Sequence, residues 1–238
     1  MSAEEMRKTV DEVHRRIAAA AARTGRRAEE ITLIGVSKTH PAEAIREAFT
    51  AGVRHFGENR VQEWEAKRGK LEDLDGHWHL VGHLQSNKAA RAARTFHSVD
   101  SVDDFALAEK LNRAKAEAQR QEGSPGKLRV LIEVRVAPEE TKSGVEQEGL
   151  AKLAAGICAL SNLEPAGLMC IPPFFEDPQQ ARPYFAHLRL LKEQLEKTLG
   201  RRLPVLSMGM SHDFEVAIEE GATEVRVGTA LFGARETR

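Results

Sequence analysis

Cysteine is scarce in this chain of 238 residues, with Cys158 and Cys170 standing alone and without CxxC spacing. Two separated thiols give neither a disulfide framework nor a thiolate metal site. Net charge is nearly absent as well, at −1 from 35 Lys+Arg and 36 Asp+Glu. Such a balanced chain lacks the basic excess that nucleic acid or an anionic membrane would call for. No run approaches the ~18 consecutive apolar residues of a membrane span. The opening MSAEEMRKTVDEV is too charged to supply the apolar core of a secretory leader. No internal repeat and no low-complexity tract interrupts the chain. A G-x-G-x-x-G after the first apolar run is also missing, which counts against a dinucleotide-binding open sheet. What remains is a cytoplasmic globular protein, and a hydrophobic fraction of 41% is enough for a full core.

The patterning that is present alternates. Residues 2–23 place Met6, Val10, Val13 and Ile17 at spacings of three and four, the mark of an amphipathic helix. From residue 31 onward, short β-type runs occur at 31–36, 53–56, 77–81, 96–99, 128–136, 166–171, 203–206 and 223–227. Helical stretches lie between them, around 41–51, 59–72, 86–94, 101–121, 146–160, 178–199 and 211–220. Strands alternating with helices predict a parallel sheet, and this number of strands closes into a (β/α)8 barrel. The most linker-like stretch, EGSPGK at 122–127, is too short to separate domains. The expectation is one domain over residues 1–238, a (β/α)8 TIM barrel with an extra N-terminal helix.

A barrel of this kind carries its site where the strands end. The first run, LIGV, leads into Ser37 and Lys38, and a lysine there must reach water or have chemistry to do. Asn59 follows the second run, and Thr141, Lys142, Ser143 and Gly144 follow the fifth. SMGMS, with Ser207 and Ser211, follows the seventh, and Arg226, Gly228 and Thr229 close the eighth. Carboxylates are few among these ends, which suits an anion better than acid–base hydrolysis. Small residues and hydroxyls before a helix N-terminus favour a phosphate. Lys38 across the barrel would then form an imine with an aldehyde whose phosphate is held there. Pyridoxal 5'-phosphate (PLP) fits, with Arg226 at its ring nitrogen.

VSKTHP, HFGENRVQE, HLVGHLQSNK, ETKSGV, GLMCIPP and LSMGMSHDFEVAIEEGATEVRVGTALFGAR together resemble the YggS/PROSC-type pyridoxal phosphate homeostasis proteins. The likeness spans roughly residues 31–235. It implies a barrel similar to the N-terminal barrel of alanine racemase, with PLP on Lys38. By the same resemblance Asn59 lies beside the ring, Ser207, Gly228 and Thr229 hold the phosphate, and Arg226 faces the ring nitrogen. His83 and His212 depart from the family pattern without touching those positions. The implied function is intracellular PLP homeostasis without catalytic turnover, by a monomer whose candidate partners are PLP-dependent apo-enzymes.

Competing readings attach to the same residues. A PLP-dependent amino-acid racemase needs a second proton carrier facing the lysine. The one tyrosine, Tyr184, is predicted within a helix remote from the strand ends, and the chain stops just after the eighth run. A cofactor-free lyase of the aldolase type would use Lys38 alone. His77, His79 and His83 imitate a zinc site, yet the fifth and sixth runs add no histidine, so no metal is expected. Lys142 is a candidate for transient second attachment of the cofactor.

Overall fold

The computed structural model describes residues 1–123, 126–137 and 143–233. Thr141 and Lys142 therefore lie outside the described residues. Helix α1 (Ala3–Arg23) opens on a capping box, Ser2 accepting from the Glu5 amide while Glu5 accepts from the Ser2 amide. Strands and helices then alternate: β1 (Thr32–Val36), α2 (Ala42–Thr50), β2 (His55–Glu58), α3 (Val61–Arg68), β3 (His77–Leu80), α4 (Ala89–Thr95), β4 (Ser98–Val102) and α5 (Phe105–Glu122). They continue as β5 (Leu128–Glu133), α6 (Gln147–Cys158), β6 (Leu163–Met169), α7 (Arg182–Leu199), β7 (Val205–Met210), α8 (Phe214–Glu219), β8 (Glu224–Val227) and α9 (Thr229–Phe232). The strands form a closed parallel barrel in the order β1 to β8, as the alternation predicts.

Helix α1 buries the stripe Met6, Val10, Val13, Ile17, Ala20 and Ala21 and packs against α8 and α9. Ion pairs from Arg16 to Glu215 and from Arg23 to Glu219 fix it there. Among the described residues no helix is long and apolar enough to cross a membrane.

Several boundaries differ from the sequence reading, each for a local reason. The fourth strand covers 98–102 and not 96–99, because the Phe96 amide still closes α4 on the Ala92 carbonyl. Asp104 caps α5, so that helix begins at Phe105 and not near 101. The fifth strand ends at Glu133 instead of 136, beyond which only an isolated bridge joins Val134 to Val145. The seventh runs on to Met210, with a register shift against β8 between Ser207 and Met210. The helix expected from 211 begins at Phe214, because the Asp213 side chain accepts the Met210 amide and holds 211–213 as a turn.

Side chains of a strand alternate between its faces, so residues two apart share the barrel interior. On β5 this aligns Arg129, Leu131 and Glu133, and on β8 Glu224 and Arg226. In the N-terminal half the interior holds a polar network, with Glu224 Oε2 left without a hydrogen-bond partner among the described residues. His79 Nδ1 lies 3.0 Å from Asp100 Oδ2, and His79 Nε2 lies 3.0 Å from His55 Nδ1. Ser98 donates to Asp100, and Arg129 pairs with Glu224 and reaches Ser98 at 3.2 Å. Burial holds His55 down at about 3, so it stays neutral beside His79. His79, Asp100 and Glu224 bring ligand-type atoms within 4.8 Å of one another, with the Arg129 guanidinium bonded to Glu224 among them. The three histidines of HWHLVGH thus do not converge. His77 stacks on His55, while His83 lines the cavity at the other end, 3.7 Å from Asp103.

Candidate functional site

The C-terminal ends of the strands surround a cavity of about 560 Å³. Following β1 inward along alternate residues leads through Ile34 and Val36 to Lys38, which is half-buried on the cavity wall. Asn59, Glu133, Arg226, Gly228 and Thr229 share that wall.

The backbone carrying Lys38 is clamped from the neighbouring β2 and α3. Ser37 Oγ donates to Glu58 Oε1 at 2.5 Å. Lys67, reaching in from α3, pairs with the same oxygen at 2.8 Å and donates to the Ser37 and His40 carbonyls at 3.0 and 3.3 Å. The Thr39 amide donates to Glu63. Thr39 itself sits at φ 66°, a left-handed conformation that a β-branched residue adopts only under constraint. Such strain costs about 1–3 kcal/mol and persists where surroundings over-determine it, typically beside functional groups. Glu58 is fully buried, and burial pushes its carboxyl up from the ordinary value while Lys67 and Ser37 oppose that. Lys67 gave no sequence signal beyond a charged helix position, and only the fold brings it inside.

Arg226 is 4% exposed and aimed at the cavity. Its two terminal nitrogens donate to Ser207 Oγ at 2.7 Å and to the Cys170 carbonyl at 2.8 Å. Those bonds fix the guanidinium plane. Ser207 is therefore not where the sequence reading puts it. With β7 continuing to Met210, Ser207 is a mid-strand residue, fully buried behind Arg226 and absent from the cavity wall. Of the two serines in SMGMS, Ser211 reaches the wall, its hydroxyl accepting the Gly228 amide at 3.1 Å and the Ala230 amide at 3.2 Å.

Two glycines near this corner have different reasons. Gly209 lies at φ +90°, and a Cβ there would come within 2.6 Å of the Ala217 side chain, so the fold requires it. Gly228 is at φ −109°, and its nearest contacts to a Cβ would be ordinary ones, 3.5 Å to the Val36 carbonyl. Neither packing nor backbone demands glycine at 228. Its missing side chain leaves open space on the cavity wall.

Glu133 was missed because a strand extended to 136 hides it mid-run. It is 6% exposed, lines the cavity, and has its carboxyl raised to about 7, chiefly by burial and also by Asp103, against Arg226. The strand ends are therefore not free of carboxylates. Phe174, 76% exposed, and His212 form part of the rim, their rings 5.4 Å apart. Tyr184 stacks on Phe175 and is not on the cavity wall.

Fold and site define a lysine-bearing barrel of the alanine racemase type, and residues 10–236 match the family described as "Alanine racemase, N-terminal domain". The alanine racemase of Clostridium difficile shares this fold at 13% identity and a TM-score of 0.71, the match covering 87% of this chain and 56% of that one. Much nearer is the "Pyridoxal phosphate homeostasis protein" of Aquifex aeolicus, 46% identical over 221 residues, 93% of this chain and 94% of that protein. PipY of Synechococcus elongatus, solved with PLP bound, superposes with a TM-score of 0.80 at 41% identity, covering 91% of this chain and all of that one. The chain belongs to the pyridoxal phosphate homeostasis protein family.

Proposed function

We propose that this protein holds PLP at the mouth of a single barrel domain as a Schiff base on Lys38, without catalytic turnover, and so takes part in intracellular PLP homeostasis. The observation that carries the reading is the clamped segment Ser37–His40, which fixes the Lys38 backbone at a cavity shared with Arg226, Asn59, Gly228 and Thr229. The residues suit the cofactor. Lys38 supplies the amine, and Arg226, its plane held by Ser207 and the Cys170 carbonyl, meets the ring nitrogen. Asn59 lies along the ring. The open space at Gly228, with Thr229 and Ser211 around it, takes the phosphate. Ser207 serves the site through Arg226. PLP bound here supplies an aldehyde that can be stored on one amine and passed to another.

Absence of turnover is supported by two features. An arginine at the ring nitrogen leaves that nitrogen unprotonated and weakens the ring as an electron sink. The tyrosine expected of a two-base racemase is missing from the wall, since Tyr184 packs elsewhere. The protein is proposed to work as a cytoplasmic monomer with PLP-dependent apo-enzymes as recipients.

Purified protein incubated with PLP should show an imine absorbance band. Borohydride reduction should remove it and add the cofactor's mass to the Lys38 peptide. Lys38→Ala should lose both while melting at nearly the wild-type temperature. A full-intensity band in that variant would place the attachment elsewhere. Racemisation of L-amino acids by loaded protein at about 1 per second, an ordinary enzyme rate, would overturn the non-catalytic reading.

A further inference from the structure

Glu133 ends β5 with its side chain turned into the cavity, in phase with Arg129 and Leu131. The residue is more than nine-tenths buried, yet among the described residues no hydrogen bond or ion pair holds its carboxyl. Buried polar groups are ordinarily satisfied, and one left open on a cavity wall is suited to something that enters the cavity. The charged groups facing it come from the surrounding strands. Asp103, beyond β4, raises it and Arg226, on β8, lowers it. Cys170, beyond β6, has a thiol pushed up to about 12 by burial and stays neutral. Lys38, Arg135, His83 and His212 stand on the same wall.

We propose that Glu133 is the proton-exchange group for making and breaking the imine at Lys38, acting through a water, and that it sets how fast the cofactor is loaded and released but not how tightly it is held. The inference rests on the reading of Lys38 as the anchor. In release, water adds to the carbon of the protonated imine, whose nitrogen already carries one proton. The new C–O bond forms, the C=N π pair moves to nitrogen, and the Glu133 carboxylate takes one proton from the water. Glu133 returns that proton to the nitrogen. The C–N bond then breaks with its pair on nitrogen, the C=O bond closes, and the remaining hydroxyl proton passes by way of Glu133 to the amine. Water's two protons finish on the Lys38 ammonium and its oxygen on the aldehyde. Glu133 is regenerated as the carboxylate. Loading is the reverse, with the acid form protonating the departing hydroxyl. Burial and Asp103 keep Glu133 at about 7, where both forms are present near neutrality.

Loading is measured by rapid mixing of apo-protein with PLP at the imine band. Release is measured by exchange against deuterated PLP, quenched with borohydride and read from the mass of the Lys38 peptide. Positioned acid–base groups contribute roughly 100-fold or more. Glu133→Gln should therefore slow both rates at pH 7 by at least ~100-fold and keep the dissociation constant within about threefold, since a proton carrier acts on both directions alike. Glu133→Asp should recover part of the loss. Wild-type release should rise with pH to a plateau near neutrality, and the Gln variant should be flat. Wild-type rates in Glu133→Gln, or weaker affinity with loading unchanged, would overturn the proposal. Should that variant fail to fold, a wild-type release rate flat from roughly pH 5.5 to 9 overturns it by itself. A wild type with no imine band at all is a separate result, since it removes Lys38 as anchor first.

Discussion

Strands β5 and β8 each send one acid and one base into the barrel, and the two ends use them differently. Near the N-terminal end, Arg129 of β5 and Glu224 of β8 pair directly inside a network with Ser98, Asp100, His79 and His55. Near the C-terminal end the charges are exchanged, Glu133 on β5 and Arg226 on β8, and they form no pair. Arg226 is held off by Ser207 and the Cys170 carbonyl, and Glu133 is left facing the cavity. The same pair of strands thus closes on itself at one end and stays open at the other. Side chains bonded to one another serve the fold, even with Glu224 Oε2 left without a partner among the described residues, while groups held apart at a cavity serve a ligand.

Breaking this contrast should produce effects of graded size. Asp100→Ala removes the partner of both His79 and Ser98 and should cost about 3–5 kcal/mol, typical of taking a buried carboxylate out of a network it holds together. Urea unfolding measures it, and PLP affinity should stay within about twofold. A matching collapse of affinity would mean that the two ends are not separable.

At the open end, pyridoxal keeps the aldehyde but lacks the phosphate. Charged hydrogen bonds contribute roughly 1.5–3 kcal/mol each, so pyridoxal should bind at least ~100-fold more weakly, a loss of about 3 kcal/mol. Titration by imine absorbance compares the two ligands, and equal affinities would put the phosphate in solvent.

Glu133 gives a stability test with a definite sign. Its folded-state value of about 7 lies above the ordinary 4.5. Between those values the folded protein keeps a proton that the unfolded chain has released, so wild-type stability falls as pH rises through this window. Glutamine has no such proton. Glu133→Gln should be more stable than wild type by on the order of 2 kcal/mol at pH 8, and by nothing near pH 4. Paired melts at the two pH values check this, and a gain independent of pH would point to packing instead.

The smallest effect belongs to Thr229→Val, which deletes one hydroxyl at the cavity wall. It should weaken PLP by about tenfold, or ~1.4 kcal/mol, and leave pyridoxal nearly unchanged.

Much of the barrel was legible because βα alternation and strand number are properties of the chain itself. Lys38 was legible too, standing two positions beyond Val36 on the inward face of the first strand. Glu133 was not, because hydrophobic and β-branched residues continue past it in LIEVRV and blur where the strand stops. Reading its phase with Arg129 and Leu131 would have put it on the inward face. Ser207 was misplaced by the opposite error, a strand ended too early. The register shift that carries β7 on to Met210 depends on Gly209 at φ +90°, whose packing against α8 only the fold reveals. Lys67 was invisible for a different reason. Its partners Glu58 and the Ser37 and His40 carbonyls come from other segments, so no local pattern marks it as buried.

The network of His79, Asp100, Arg129 and Glu224 also decides traffic. With side chains filling that end, the cavity opens, among the described residues, toward the other end of the barrel, rimmed by His83, Phe174 and His212. An occupant of the cavity cannot leave through that filled end, and a newcomer cannot push it through from behind. Arrival and departure therefore share the mouth of the barrel, where Phe174 stands mostly in solvent.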